Sequence, residues 1–409
     1  MEKNKFIEVA VSDNNKKWTQ CLSRQRELYQ RQHDIRSEFA RDYNRILHCT
    51  AYRRLKHKTQ VFFATRNDHI CTRIEHVTHV ASVSYTIANF LGLNTELTNA
   101  IAIGHDLGHA PFGHQGESIL KEIVEKKIGK TFWHEKNSLR FVDKIESLPD
   151  ENGKEQNLNL TYAVRDGIVS HCGEVDENAI YPRDEFIDLY QIQSAGVNQP
   201  FTWEGCVVKI ADKISYIGRD IEDALTLGIL SMGEKRELKR IVAEITGISD
   251  LRDINNTVLM HGFITDLCTA SSPEKGLGFS DTYLPYINSV KKFNYKHIYK
   301  HKRLDYFKDY ARLIIGSIFD VLANTYDSKE PMKKIQNIEK IYPSLARNFY
   351  EWIKKYSDVY GENRSENGFQ NEIIYRLEDE KDYLHAIIDY ISSMTDSFAI
   401  KAFNEITSF

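Results

Sequence analysis

Apolar residues along this chain recur at intervals of three and four rather than two, and the first proline is Pro111. Long stretches without a breaker and with a 3.6-residue period predict an almost entirely helical protein. Val80, Val83, Ile87 and Leu91 make one stripe, which predicts a helix over 73–91. Val207, Ile210, Ile214, Ile217, Ile221 and Leu225 make another, over 204–227. On the far side of that second helix lie Asp212, Tyr216, Arg219, Asp220 and Asp223, where a solvated face would ordinarily stand. Further helices are expected over 22–47, 162–172, 304–325, 334–355 and 369–409. The apolar, β-branched run 59–63 is the one candidate strand, in a hairpin through Asn67 and Asp68, whereas 149–157 reads as a polar loop. The fold class is all-α with at most a small β-hairpin. A polar arm over 1–20, a core over 21–280 and a C-terminal helical region over 281–409 packed on that core are the expected divisions.

Composition narrows the class. Of 409 residues, 41% are hydrophobic and 27% charged, enough for a large core under a soluble surface. A net charge of −4 argues against a generally basic nucleic-acid surface. The six cysteines form no Cys-x-x-Cys pair, as expected of reduced thiols in a cytosol. No run approaches the ~20 apolar residues of a membrane span, and the N-terminus carries no apolar leader. A cytoplasmic protein is the expectation.

Chemistry concentrates in 101–117, Ile-Ala-Ile-Gly-His-Asp-Leu-Gly-His-Ala-Pro-Phe-Gly-His-Gln-Gly-Glu. A single histidine on a helix is usually structural; three histidines with two acids so close together are not. His105 and Asp106 offer an imidazole nitrogen and a carboxylate oxygen, a set suited to a divalent metal. Pro111 must end their helix near Gly108. A new helix then opens around His114, with Glu117 on the same face of its first turn. His76 continues the buried stripe of the 73–91 helix, and a buried imidazole needs a partner. A metal at the dyad supplies one; His79, at the stripe's edge, is the weaker candidate. His134, in an aromatic break, is a further site candidate. Asp212, Tyr216 and Asp220 stand one turn apart and form a ladder able to present a carboxylate to a metal at one end and an acid to a hydroxyl at the other. The basic, aromatic stretch 293–303 fits an exposed connection better than a single-strand-binding surface. There is no GxGxxG or Walker loop and no serine or cysteine nucleophile signature.

The order His76, His105-Asp106, Asp212 resembles the HD-domain superfamily of metal-dependent phosphohydrolases. Within it, the chain is most similar to bacterial deoxyguanosine triphosphate triphosphohydrolases and the related SAM- and HD-domain dNTPase. The segments carrying this resemblance are 52–62, Arg73-Ile-Glu-His76, 105–117, Trp133-His-Glu135, 211–224 and Met394-Thr-Asp-Ser-Phe-Ala399. It implies an HD-domain helical fold with added C-terminal helices. It implies one divalent ion per subunit (Mg, Mn or Fe) on His76, His105, Asp106 and Asp212. By the same resemblance His114 and Glu117 match the catalytic pair, with His109 and His134 in support. Arg73 and Lys213 match phosphate contacts, and Tyr216, Asp220 and Gln60 match sugar contacts. Val77 and His79 depart from the usual Ser and Glu after the first histidine. The implied reaction is hydrolysis of a deoxynucleoside triphosphate, dGTP foremost, to deoxynucleoside and inorganic triphosphate. A homo-oligomer (tetramer or hexamer), a nucleotide activator at a subunit interface and weak single-strand binding are also implied. The rival readings are an HD-type phosphodiesterase or nucleotidase, and a non-catalytic nucleotide sensor.

Overall fold

The 73–91 stripe folds as the Arg73–Leu91 helix. Thr72 and Glu75 close a capping box at its start, and Gly92, at φ 83°, ends it in the left-handed conformation. It packs against the Thr95–Gly104 helix and the Trp203–Thr226 helix, and these last two also pack on each other. This three-helix platform, apolar between its members, carries every candidate metal ligand on one edge.

The computed structural model describes residues 2–28, 34–63, 67, 69–172, 178–247 and 254–408. Among them are 17 α-helices and a single two-stranded antiparallel sheet. The sheet is not where the sequence pointed. Ser147–Pro149 pairs with Glu155–Asn157, the first strand ending and the second lying within the 149–157 segment expected to be loop. The 59–63 run makes one isolated bridge, Thr59 to Thr72, because the Thr59 N–H is given to the Asp396 carboxylate and not to a ladder. Residues 64–66 and 68 lie outside the described residues, and with them the expected turn at Asn67 and Asp68.

Three expected helices are interrupted. Among the described residues of the 22–47 stretch, the Trp18–Leu22 helix ends at its start and a second helix covers Glu38–His48, opened by the Ser37 side chain. The 334–355 stretch divides into Pro331–Glu339 and Pro343–Tyr356, since Pro343 starts a helix well and cannot continue one. The 369–409 stretch holds Glu380–Ser393 and Asp396–Thr407, capped by Asp379 and Thr395. The N-terminal arm is fastened down: the N–H groups of Asn4 and Phe6 donate to the carbonyls of Phe90 and Leu91, and the buried Phe6 ring meets Trp203 edge-on. No helix among the described residues is long and apolar enough to cross a membrane.

Candidate metal centre and active site

The elbow between the dyad and His114 is built by backbone constraint. The Thr95–Gly104 helix ends at His105, and the next helix, Gly113–Lys127, starts only after Pro111. Phe112 holds φ 65°, an uncommon conformation for a bulky residue that costs about 1 kcal/mol. Two remote groups secure it. Asp396 accepts from the Phe112 N–H at 2.8 Å and the Thr59 N–H at 2.9 Å. Buried Lys58 donates to the carbonyls of His109 and Ser392. Gly108 is required for space, because a Cβ there would collide with the backbone of Asn137 and Ser138. The 394–399 segment noted in the sequence thus acts as a brace on the elbow.

On the platform edge the four candidate ligands converge. His76 Nε2 lies 2.9 Å from Asp212 Oδ1 and 3.9 Å from Asp106 Oδ2. His105 Nε2 lies 3.5 Å from Asp106 Oδ1 and 4.0 Å from Asp212 Oδ1. His105 Nδ1 bonds the Ala102 carbonyl at 2.6 Å, which presents Nε2 to the cluster, yet that buried Nε2 has no hydrogen-bond partner. An orphaned, buried imidazole nitrogen facing two carboxylates fits a divalent ion, and the carbonyl behind it is the usual support for a histidine ligand. Burial alone would raise Asp106, but His105, Arg73 and His109 hold its carboxyl well below the ordinary range. Burial opposes ionisation of Asp212 too, and His76 outweighs it. Both acids are therefore anionic at neutral pH.

Beyond the elbow stands a second group. His114 is exposed, with Nδ1 3.5 Å from Glu117 Oε2. Glu117 is held more closely by His134, accepting from its backbone N–H at 2.8 Å and lying 3.1 Å from its Nδ1. Glu117 therefore bridges the two histidines instead of serving His114 alone. The rings of His109 and His134 stack at 4.0 Å, and their environments push them apart. Burial, with Arg73 and His134, drives His109 well below its usual pKa and keeps it neutral. His134 is also buried, but Glu135 and Glu117 raise it well above its usual value and keep it charged.

A cavity of about 260 Å³ joins the groups. Gln60, Arg73, His109, His114, His134, Lys213, Tyr216 and Asp220 all line it, alongside His76, Asp106 and Asp212. Arg73 binds Asp106 through Nη1 at 2.5 Å, while its buried Nε and Nη2 have no hydrogen-bond partner. Unspent guanidinium donors at a cavity wall suit an oxyanion. Asp220 is not on a solvated face. It is buried and accepts from the Tyr299 hydroxyl, and burial pushes its carboxyl up to about 7. Asp223 is likewise buried and accepts from the Cys71 N–H. His79 is half-buried and lies outside the cavity lining.

Sequence reasoning missed His171, Cys172, Lys209 and Tyr299 in the lining. Tyr299 belongs to the stretch expected to be an exposed connection, but Phe293, Asn294 and Ile298 are buried there and Tyr299 turns into the cavity. The Phe293–Ile298 spacing carried that signal. His171 and Cys172 stand just past the Tyr162–Ser170 helix, and their adjacency was the available clue.

A helical platform with a His, His-Asp, Asp set across three helices defines an HD domain, and residues 73–217 match the HD domain family. Residues 355–405, which include the helix before the brace, match the Phosphohydrolase-associated domain. Three similar proteins carry the name deoxyguanosinetriphosphate triphosphohydrolase-like protein. The one from Desulfatibacillum aliphaticivorans is 36% identical over 72% of this chain and 76% of its own. Those from Clostridium tetani and Caldanaerobacter subterraneus are 33% and 31% identical over 81% and 91% of this chain, and 86% of their own length in each case. The chain belongs to this family of HD-domain hydrolases.

Proposed function

We propose that the protein hydrolyses deoxynucleoside triphosphates, dGTP foremost, to deoxynucleoside and inorganic triphosphate by attack of water on the α-phosphate. The observation that carries this reading is the pairing of two features in one place. The partnerless His105 Nε2 faces Asp106 and Asp212, and unspent Arg73 donors lie beside them at the cavity. The relatives' shared name supports the substrate class.

His76, His105, Asp106 and Asp212 would hold one divalent ion; when bound, it polarises the α-phosphate as a Lewis acid. Arg73 and Lys213 bind the phosphates. The leaving 5′-oxygen needs a proton, which His114 Nε2 donates as general acid while Glu117, anchored by His134, holds its Nδ1 side. Neutral His109 stacks on His134 and fixes its ring. Tyr216 crowds the 2′ position, and Asp220, oriented by Tyr299, takes the 3′-hydroxyl with Gln60 nearby. Burial of Asp220 in its raised-pKa state leaves it able to donate or accept there.

Assembly into a homo-oligomer is supported by an exposed stripe on the Lys302–Ala323 helix: Tyr306, Tyr310 and Leu313, at 78%, 39% and 56% exposure.

The test is a panel of dNTPs and NTPs, singly and mixed, with Mg²⁺ or Mn²⁺, with product identification. Deoxynucleotides should be preferred and triphosphate released. Equal kcat/KM for dGTP and GTP would refute the sugar assignment. Monophosphate or cyclic substrates alone would favour a phosphodiesterase or nucleotidase, and no turnover of any nucleotide would favour a sensor.

A further inference from the structure

A second cavity, of about 400 Å³, shares no lining residue with the catalytic cavity. Its lining runs from the exposed Thr50, Asn348 and Glu351 to the buried Ile145, Tyr356 and Met394, so one end is open to solvent. Three donors in that lining have nothing to bond. Trp352, 9% exposed, and Tyr390, 5% exposed, leave the indole Nε1 and the hydroxyl without hydrogen-bond partners. Arg54 leaves its buried Nη1 in the same condition. Buried polar groups are ordinarily paired, and an indole N–H and a guanidinium can only donate. Burial pushes the Tyr390 hydroxyl up, so it too keeps its proton. The charges in the lining are unevenly met. Lys355 lies 3.4 Å from Glu155, and the Thr50 N–H donates to Glu146 at 2.7 Å. Among the described residues no acid lies within ion-pair distance of Arg54.

We propose that this cavity binds a small aromatic oxyanion, a carboxylate or phosphate monoester carried on a flat ring, with Arg54, Trp352 and Tyr390 donating to its oxygens. The anionic end follows from Arg54, whose planar fork of donors matches either group. The flat body follows from the wall. The Trp352 ring lies 4.6 Å from that of Tyr356 and 5.6 Å from that of Tyr390, and Phe398 joins them in the lining. The Tyr356 hydroxyl is already given to the Ile145 carbonyl at 2.7 Å, so this residue offers its ring alone. Such rings take a further ring by offset or edge-to-face contact. The volume falls within the roughly 300–1,000 Å³ of small-molecule sites. One unpaired guanidinium beside Glu146 balances a singly or doubly charged group, not a triphosphate.

The experiment needs neither metal nor turnover, so it stands or falls separately from the proposed reaction. The full chain is titrated in EDTA with phenyl phosphate, benzoate, inorganic phosphate and phenol, by calorimetry and tryptophan fluorescence. Phenyl phosphate or benzoate should bind once per chain and change the emission of Trp352. Tighter binding of the first assigns a phosphate monoester and of the second a carboxylate, and either sustains the proposal. Inorganic phosphate and phenol, each lacking half of the ligand, should bind at least about tenfold more weakly. Arg54→Met should weaken the anion about tenfold or more, and Tyr390→Phe about threefold or more, which keeps the test if Arg54→Met fails to fold. Trp352→Phe should abolish the emission change. Arg73→Ala, at the other cavity, should bind as wild type does. Neither anion binding to wild type at about 1 mM overturns the proposal. So does binding lost in Arg73→Ala but kept in Arg54→Met, or inorganic phosphate bound as tightly as phenyl phosphate. A wild type that binds neither anion while Arg54→Met changes its state of assembly would show a second copy of the chain filling the cavity, and overturns it too.

Discussion

Asp396 lies in the C-terminal helical region, far along the chain from every candidate catalytic residue, yet its removal should impair the reaction. Its carboxylate accepts from the N–H groups of Phe112 and Thr59 and from the Thr59 hydroxyl. Asp396→Ala leaves two backbone donors unpaired, at about 1–3 kcal/mol each. Part of that is returned, because burial already raises the Asp396 carboxyl above its usual pKa and its removal relieves that cost. A net loss of about 3 kcal/mol is expected, enough to be large on the scale of a whole domain. Asp396→Asn keeps one acceptor oxygen and should lose about half as much. With Phe112 unclamped, its strained φ relaxes and the elbow carrying His109 and His114 shifts. A displacement on the order of 1 Å costs about 10²-fold in rate. Denaturant unfolding and steady-state kinetics on both variants, with bound metal measured, make the test. The expected pattern is a graded loss of stability and a fall in kcat at unchanged metal content. An Asp396→Ala protein within about 0.5 kcal/mol of wild type and with normal kcat would refute the bracing role.

Two further outcomes follow from the site. His114→Ala should keep metal and nucleotide binding and lose about 10²–10⁴ in kcat; normal turnover would transfer the general-acid role to His109 or His134. Because Glu117 also anchors His134, Glu117→Ala should be worse than His114→Ala, and the double variant close to Glu117→Ala alone. For Lys58, burial, aided by Arg54, lowers the amine to about 7 in the folded protein against 10.5 unfolded. Between those values the unfolded chain binds the extra proton, so stability rises with pH from about 7 to 10.5, is lost progressively as pH falls across that window, and changes no further below 7. Relative to Lys58→Met, wild type should gain about 1.4 kcal/mol per pH unit from pH 7.5 to 9.5. Parallel stability curves for the two proteins would show that Lys58 is folded in its charged form.

The parts of the fold written in local pattern were legible. The Arg73–Leu91 and Trp203–Thr226 helices follow from apolar stripes, and the break at Pro111 follows from ring sterics. What escaped depends on distant contacts. The polar face of Asp220 and Asp223 reads as solvated until Tyr299 and the Cys71 N–H arrive to cover it. The 59–63 run has strand propensity, but its backbone is claimed by a carboxylate 337 residues away. Within the site, adjacency made His105 and Asp106 visible, the buried stripe pointed to His76 and the polar ladder to Asp212, and the resemblance joined the four into one ligand set. The sharing of Glu117 between His114 and His134 is a matter of side-chain packing that no spacing encodes.

The central claim is that water attacks the α-phosphate of a deoxynucleoside triphosphate. Its most direct test is turnover of dGTP in ¹⁸O-enriched water with Mn²⁺, with both products analysed by mass spectrometry. The account predicts inorganic triphosphate carrying one ¹⁸O and unlabelled deoxyguanosine in equal amounts. Label in the nucleoside, or release of orthophosphate or pyrophosphate in place of triphosphate, would contradict it.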